Sequence, residues 1–298
     1  MDSPIAMRAW CTLVMLNDNY SSGALVVAKS LRRVKTKYPI YCLVAEVSDE
    51  CVAMLTESAL FDRVIQVPLL SKETNRMNDK QEKIYRKWIS SCYTKWNIMN
   101  PDIFDCKMEK VMLLDADSFI QKNYDHIFDL ACPAACFNSP WGPKGSGRPN
   151  WKTGREVTPY ELKVFLGSKA PWVGCASSVL LQPNKETYEK MLDLLNEHDT
   201  YGHKGNCISG PDEQLLAHTY FSLNESMYHF RSKYNWFVGQ NHTLGKGETP
   251  VIYQYYNSKP WREDRQTSQY DDVREWYSMW DNVVADYSIA SDWLNRPY

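Results

Sequence analysis

Hydrophobic positions along this chain fall into short runs of strand length separated by amphipathic stretches. Residues 9–16 (AWCTLVML) form an apolar run, followed by Asn/Ser turn chemistry and then by GALVVAKSLRRV at 23–34, which has helical character. The opening therefore reads strand, loop, helix. IYCLVAE (40–46) and RVIQVPLL (63–70) repeat the strand signal with a helical stretch between them, and KIYRKWISSCYTKWNIM (83–99) reads as a helix ahead of the strand VMLLDAD (111–117). A strand at 172–183, helices at 185–198 and 212–221 and a strand at 249–256 follow. In the tail from about residue 270, Trp276, Tyr277 and Trp280 are spaced for one helical face, which predicts a closing helix packed on the sheet. Alternating strands and helices predict an α/β fold with a central parallel, doubly wound sheet.

Composition narrows this picture. At 298 residues the chain fits one large α/β domain, 1–298, with no internal repeat or linker. Hydrophobic residues make up 44% and aromatic residues 13%, enough to build a core without metal or disulfides. The balance of 34 basic against 36 acidic residues gives no field that would gather nucleic acid, so any phosphate recognition must be local. Nine cysteines without a CxxC pair argue against a disulfide framework and a zinc finger. The N-terminus lacks a signal-peptide pattern, and no apolar run approaches the ~20 residues of a membrane span. A cytoplasmic location is the expectation, with the sequons at Asn19, Asn224 and Asn241 read as chance.

Candidate chemistry centres on Asp115-Ala116-Asp117. A DxD triplet is expected about once by chance in a chain of this length, so its placement decides its meaning. Both carboxylates fall at the C-terminal end of an apolar strand, the edge where open α/β sheets bind ligands, and they supply hard oxygen donors suited to Mn²⁺ or Mg²⁺. A second signal is Lys259-Pro260-Trp261, a cation, a rigid φ and a large aromatic after the strand VIYQYY. Residues 138–155, rich in Gly, Pro and Asn, predict a long loop that covers substrate. GPKGSG (142–147) lacks the Lys-Ser/Thr of a P-loop, and the chain carries neither HExxH nor GxSxG.

In this order the motifs resemble glycosyltransferase family 8, the glycogenin-like and galactinol-synthase-like enzymes. The similarity runs through TLVMLNDNY, Arg86 nine residues before Lys95, LLDADS, SVLLQP, GPDEQLL and SKPW with the aromatic tail. It implies a GT-A (Rossmann-like) fold with a mixed, mainly parallel sheet. About 9–130 would form the nucleotide-binding half, about 131–261 the acceptor and metal half, and about 262–298 the closing helix. The implied activity is retaining transfer of a hexose from a UDP-sugar, UDP-glucose or UDP-galactose, to a carbohydrate or other hydroxyl acceptor. By the same resemblance Val14, Leu16, Asn17 and Tyr20 match the uridine segment, with Tyr20 placed to stack on the base. Arg86 and Lys95 match a basic pair on the helix before DxD, Ala116 lies against the nucleotide, Lys259 meets the diphosphate, and Asp212 orients the sugar. A homodimer is compatible with this reading, which requires neither nucleic acid nor a membrane span.

Three departures from the family pattern stand out. The histidine that serves as third metal ligand is missing from VIYQYYNSKPW. Gln254 is the expected substitute beside Asp115 and Asp117, because an aromatic follows it; Tyr253 fits another spacing. Glu213 replaces a glutamine, and three roles are open to it: stabilising charge beneath the anomeric carbon, attacking as a nucleophile, or complementing a helix N-terminus. Cys175-Ala176-Ser177 stands where relatives carry Asn-Ser-Gly; Cys175 reads as a buried apolar residue. No tyrosine occurs in WFVGQNHTLGKG (236–247), so self-glucosylation is not expected.

Overall fold

The structure is a computed structural model that describes residues 7–73, 86–137, 151–167, 175–197, 210–239, 244–256, 258–265, 268, 270–287, 289 and 293–294. Eleven strands are described, β1 (Met7–Met15), β2 (Ile40–Ala45), β3 (Arg63–Gln66), β4 (Met108–Leu114), β5 (Ser118–Ile120), β6 (Ala134–Cys136), β7 (Arg155–Val157), β8 (Cys175–Leu181), β9 (Met227–His229), β10 (Trp236–Phe237) and β11 (Ile252–Gln254). The α-helices are α1 (Ser21–Arg33), α2 (Asp49–Glu57), α3 (Pro159–Leu166), α4 (Lys185–Glu197), α5 (Pro211–Ser222) and α6 (Asp271–Tyr287).

The main sheet has eight strands in the order β3-β2-β1-β4-β8-β6-β9-β7, and a smaller sheet has the order β10-β11-β5. β3, β2, β1 and β4 run parallel, whereas β8 is antiparallel to both β4 and β6. The mixed, mainly parallel α/β sheet agrees with the sequence expectation. Successive side chains of a strand point to opposite faces, and β1 feeds two cores: Trp10 and Val14 join the side covered by α1 and α6, Ala9 and Cys11 the side that holds Trp96. Burying each large apolar side chain contributes roughly 1.5–3 kcal/mol, so apolar character on both faces is what selects this central strand.

Local differences from the sequence reading have physical causes. The helix expected over 83–99 is a 3₁₀ run, Ile89–Met99, with Arg86 in the turn before it and residues 83–85 outside the described residues. Apolar residues recurring at i and i+3 serve either helix type, so spacing does not separate them. Asp115 and Asp117 lie beyond the end of β4 in a tight turn closed by Ser118 N–H donating to the Asp115 carbonyl (3.0 Å). The strand expected over 249–256 shrinks to Ile252–Gln254 and joins the smaller sheet. Of the loop at 138–155, residues 138–150 lie outside the described residues; its end is tied to β9, with Gly154 N–H donating to the His229 carbonyl (2.7 Å). No helix among the described residues is long and apolar enough to cross a membrane.

His229 on β9 is fully buried, and its Nδ1 accepts the Phe137 N–H (3.2 Å), so the ring is held neutral. Burial first, then the charges of Arg155 and Arg231, lower its pKa from the ordinary imidazole value of 6.5 to about 3. The unfolded chain takes up a proton between these two values that the folded chain refuses. Stability from this group is therefore complete above about pH 6.5 and is lost as pH falls toward 3, at roughly 1.4 kcal/mol per pH unit in that window. In urea titrations, His229→Asn is expected to be less stable than the parent at pH 7.5, with the gap narrowing by pH 5; a gap that does not change with pH would contradict a buried neutral ring.

Candidate active site

Parallel strands end in a common edge, and the candidate residues gather there. Beyond β1, Leu16 holds a left-handed backbone (φ 69°), a strained conformation for a branched side chain, while its N–H donates to the Ala45 carbonyl (2.9 Å). Asn17 caps the 3₁₀ turn Asp18–Tyr20 by accepting the Asn19 N–H (3.0 Å), and Asp18 is pinned by the Ser48 hydroxyl (2.6 Å). Val14 is buried within β1, one strand position from the edge-forming Met15. Tyr20 meets Trp261 edge to face, with ring centroids 5.4 Å apart. Burial and then the charge of Asp117 raise the Tyr20 pKa, opposed by Arg262, with which it also hydrogen-bonds.

The turn after β4 is the centre of the site. Its backbone is fixed by Asp115 N–H donating to the Ser177 carbonyl of β8 (2.9 Å) and by Tyr255 N–H donating to the Asp117 carbonyl (3.0 Å). α1 comes so close that a Cβ on Gly23 would lie 2.4 Å from the Ala116 carbonyl oxygen, so only glycine fits there. The Asp115 side chain is 31% exposed and the Asp117 side chain 10%, which makes Asp115 the more open of the pair.

Each carboxylate has a lysine. Lys259 pairs with Asp117 and also donates to the carbonyls of Tyr255 (2.6 Å) and Tyr256 (3.3 Å). Lys95 bridges Asp115 (3.1 Å) and Asp212 (3.0 Å). Burial works against the Lys95 ammonium, but the charges of Asp115 and Asp212 outweigh it and hold its pKa well above the ordinary value. Desolvation, opposed by Lys95 and reinforced by Asp117, pushes Asp115 above the usual carboxylate range. Arg86 is exposed in the turn before the 3₁₀ run, whereas Lys95 is buried inside it.

Glu213 lies in the first turn of α5, and both its oxygens accept backbone N–H groups, from Ala176 (3.1 Å) and Gly210 (2.8 Å). Burial, then the charge of Asp212, push its pKa well above the ordinary value. On β8 the Ser177 hydroxyl donates to Asn235 Oδ1 (2.9 Å) and meets Cys175 Sγ at 3.1 Å. Cys175 is buried, as its sequence context suggests, and burial pushes its thiol well above the ordinary range.

β11 runs antiparallel to β5 with Gln254 opposite Ser118 and Tyr253 opposite Phe119. That register turns Gln254 to the carboxylates and Tyr253 away from them, into contact with the rings of Phe119 and Trp236. The Gln254 amide nitrogen donates to Asp117 and its oxygen accepts from the Ser118 hydroxyl (2.6 Å). A hydroxyl can donate or accept, so Ser118 can support either amide orientation. Ser118 and Asn235 had no signal in the sequence; only pairing of short strands brings them here.

The donor chemistry fits a hard divalent cation. Asp115, Asp117 and Asp212 bring three carboxylates against the two ammonium groups of Lys95 and Lys259, an excess of negative charge in a poorly solvated place. Among the described residues no group of three or more His, Cys, Asp or Glu side chains is placed to hold a metal ion, and the Gln254 amide lies against Asp117.

Residues 11–140 match the family model described as Glycosyl transferase family 8. An uncharacterized protein of Acanthamoeba polyphaga mimivirus is 25% identical, with 97% of this chain and 99% of that protein covered. Galactinol synthase 1 of Arabidopsis thaliana is 26% identical over 94% of this chain and 80% of its own length. Among solved structures, the galactosyltransferase LgtC in complex with donor and acceptor sugar analogs superposes with a TM-score of 0.62 at 13% identity, covering 96% of this chain and 99% of that one. The fold is therefore GT-A, and through residues 11–140, the DxD turn and the Lys-Pro-Trp segment the chain is similar to the enzymes of glycosyltransferase family 8.

Proposed function

We propose that this glycosyltransferase moves a hexose from a UDP-sugar, UDP-glucose or UDP-galactose, to a hydroxyl acceptor, with Mn²⁺ or Mg²⁺ and with retention at the anomeric carbon. The observation that carries the reading is the convergence of the Asp115–Asp117 turn and Lys259 at one strand edge, with Asp212 and Glu213 beside them. Asp115, Asp117 and Gln254 would hold the metal, whose charge would favour departure of the diphosphate.

This chain's own residues do the rest. Asn17 and Tyr20 receive the uridine, with Tyr20 backed by Trp261. Ala116, pressed against α1, gives the nucleotide a rigid floor. Lys259 supplies fixed positive charge where negative charge develops on the leaving UDP, a stabilisation that needs no reorganisation at the moment of reaction. Lys95 orients Asp212, which in turn orients the sugar hydroxyls. With both oxygens engaged by backbone N–H groups, Glu213 is suited to stabilise positive charge on the sugar from a fixed position; attack would require it to give up one of those bonds. Arg86, exposed in the turn before the 3₁₀ run, would reach the sugar of the donor.

A UDP-release screen over nucleotide sugars with Mn²⁺ and Mg²⁺ tests the reading: release is expected with a hexose donor, and Asp117→Asn should lower it by roughly 10²-fold or more. UDP binding without turnover across donors and acceptors would instead mark a non-catalytic nucleotide-sugar binder, and pyrophosphate release a nucleotidyltransferase. For the third donor, Gln254→His is expected to tighten Mn²⁺ about tenfold in a calorimetric titration, since imidazole is the better ligand for this ion. Unchanged affinity would remove Gln254 from the metal's donors.

A further inference from the structure

The segment that carries Lys259 is irregular, and three ties join it to α6. Ahead of the lysine, the Tyr255 hydroxyl donates to the Asp272 carbonyl in the first turn of α6 (3.1 Å). Behind it, Trp261 packs on Trp276 with ring centroids 5.5 Å apart, and the Tyr277 hydroxyl donates to the Glu263 carbonyl (2.9 Å).

Trp261 has no slack on its other side. It meets Tyr20 edge to face, and a Cβ on Gly23 would lie 2.9 Å from its ring. Neither indole N–H of the Trp261–Trp276 pair has an acceptor among the described residues, so packing alone sets their relation. Trp276 is fully buried and stacks on Trp280 at 6.3 Å, while α6 is fastened to α1 by Lys29–Asp286 (2.6 Å) and Arg33–Glu275 (3.5 Å). A chain of rigid contacts thus runs from α1 through α6 and Trp261 to the backbone that aims the ammonium of Lys259.

We infer that Trp276 is a positioning residue for Lys259: through Trp261 it sets where the ammonium stands, and so how tightly the second phosphate of a nucleoside diphosphate is held. Tyr277 acts in the same sense through Glu263. The inference rests on the proposed function, in which Lys259 meets the diphosphate of the donor. A role confined to core packing would weaken every ligand alike, because it has no preference for one phosphate over another.

Calorimetric titration of the full chain with UDP and with UMP, both with Mn²⁺, separates the two. Trp276→Leu lets Trp261 tilt, and it is expected to lower the preference for UDP over UMP about tenfold while UMP affinity stays near that of the parent. Trp276→Phe, which keeps an aromatic face, should restore most of the preference. Tyr277→Phe removes one hydroxyl, should reduce the preference about threefold, and decides the matter if Trp276→Leu does not fold. A parent preference for UDP that survives both Trp276→Leu and Tyr277→Phe, or that is left intact while both nucleotides weaken in parallel, overturns the inference alone. A parent chain that binds UDP no more tightly than UMP overturns the donor reading and the inference with it.

Discussion

The ion pair between Lys259 and Asp117 fastens the C-terminal part of the chain to the turn that ends β4. Removing charges from water is costly, and a pair of this kind is tolerable only where the remaining hydrogen-bonding capacity is filled. Here it is filled from both directions: the ammonium also reaches the carbonyls of Tyr255 and Tyr256, and the carboxylate also receives the Gln254 amide. Lys95 does the same for Asp115 and Asp212 on the other side of the turn. The cluster is thereby held together with carboxylates in excess, a state suited to receiving a cation.

Around that cluster the fold acts as a rigid frame. β4, the last of the four parallel strands, leads into it, β8 runs beside β4 in the antiparallel sense, and α5 delivers Asp212 and Glu213 from its first turn. The smaller sheet brings β11 across β5, and α6 closes the far side against α1. Parts distant in sequence therefore meet at one strand edge, and none of the predicted functional side chains of the cluster depends on a long unsupported loop for its position.

Much of this was legible from the sequence because it rests on local pattern. The apolar runs of β1, β2 and β4 are buried on both faces, which is why they read as central parallel strands. Asp115 and Asp117 were correctly located at a strand end, although they sit in a turn and not on the strand itself. What stayed hidden depends on pairing between short segments. That Gln254 and not Tyr253 faces Asp117 follows from a three-residue register against β5, for which spacing gives no rule. The 3₁₀ form of Ile89–Met99 buries Lys95 while Arg86 lies exposed in the turn before it, a difference in burial that spacing does not give. The contact of Trp261 with Trp276 joins two motifs noted separately, a Lys-Pro-Trp segment and an aromatic helix face, and nothing in their spacing says that they touch.

The most direct measurement is the anomalous signal of manganese in crystals of this chain grown with UDP and Mn²⁺. The predicted result is a single strong peak within about 2.5 Å of carboxylate oxygens from both Asp115 and Asp117, with the ammonium of Lys259 turned to the second phosphate. Well-ordered UDP with no manganese peak at the Asp115–Asp117 turn, or a peak held by other residues, would contradict it.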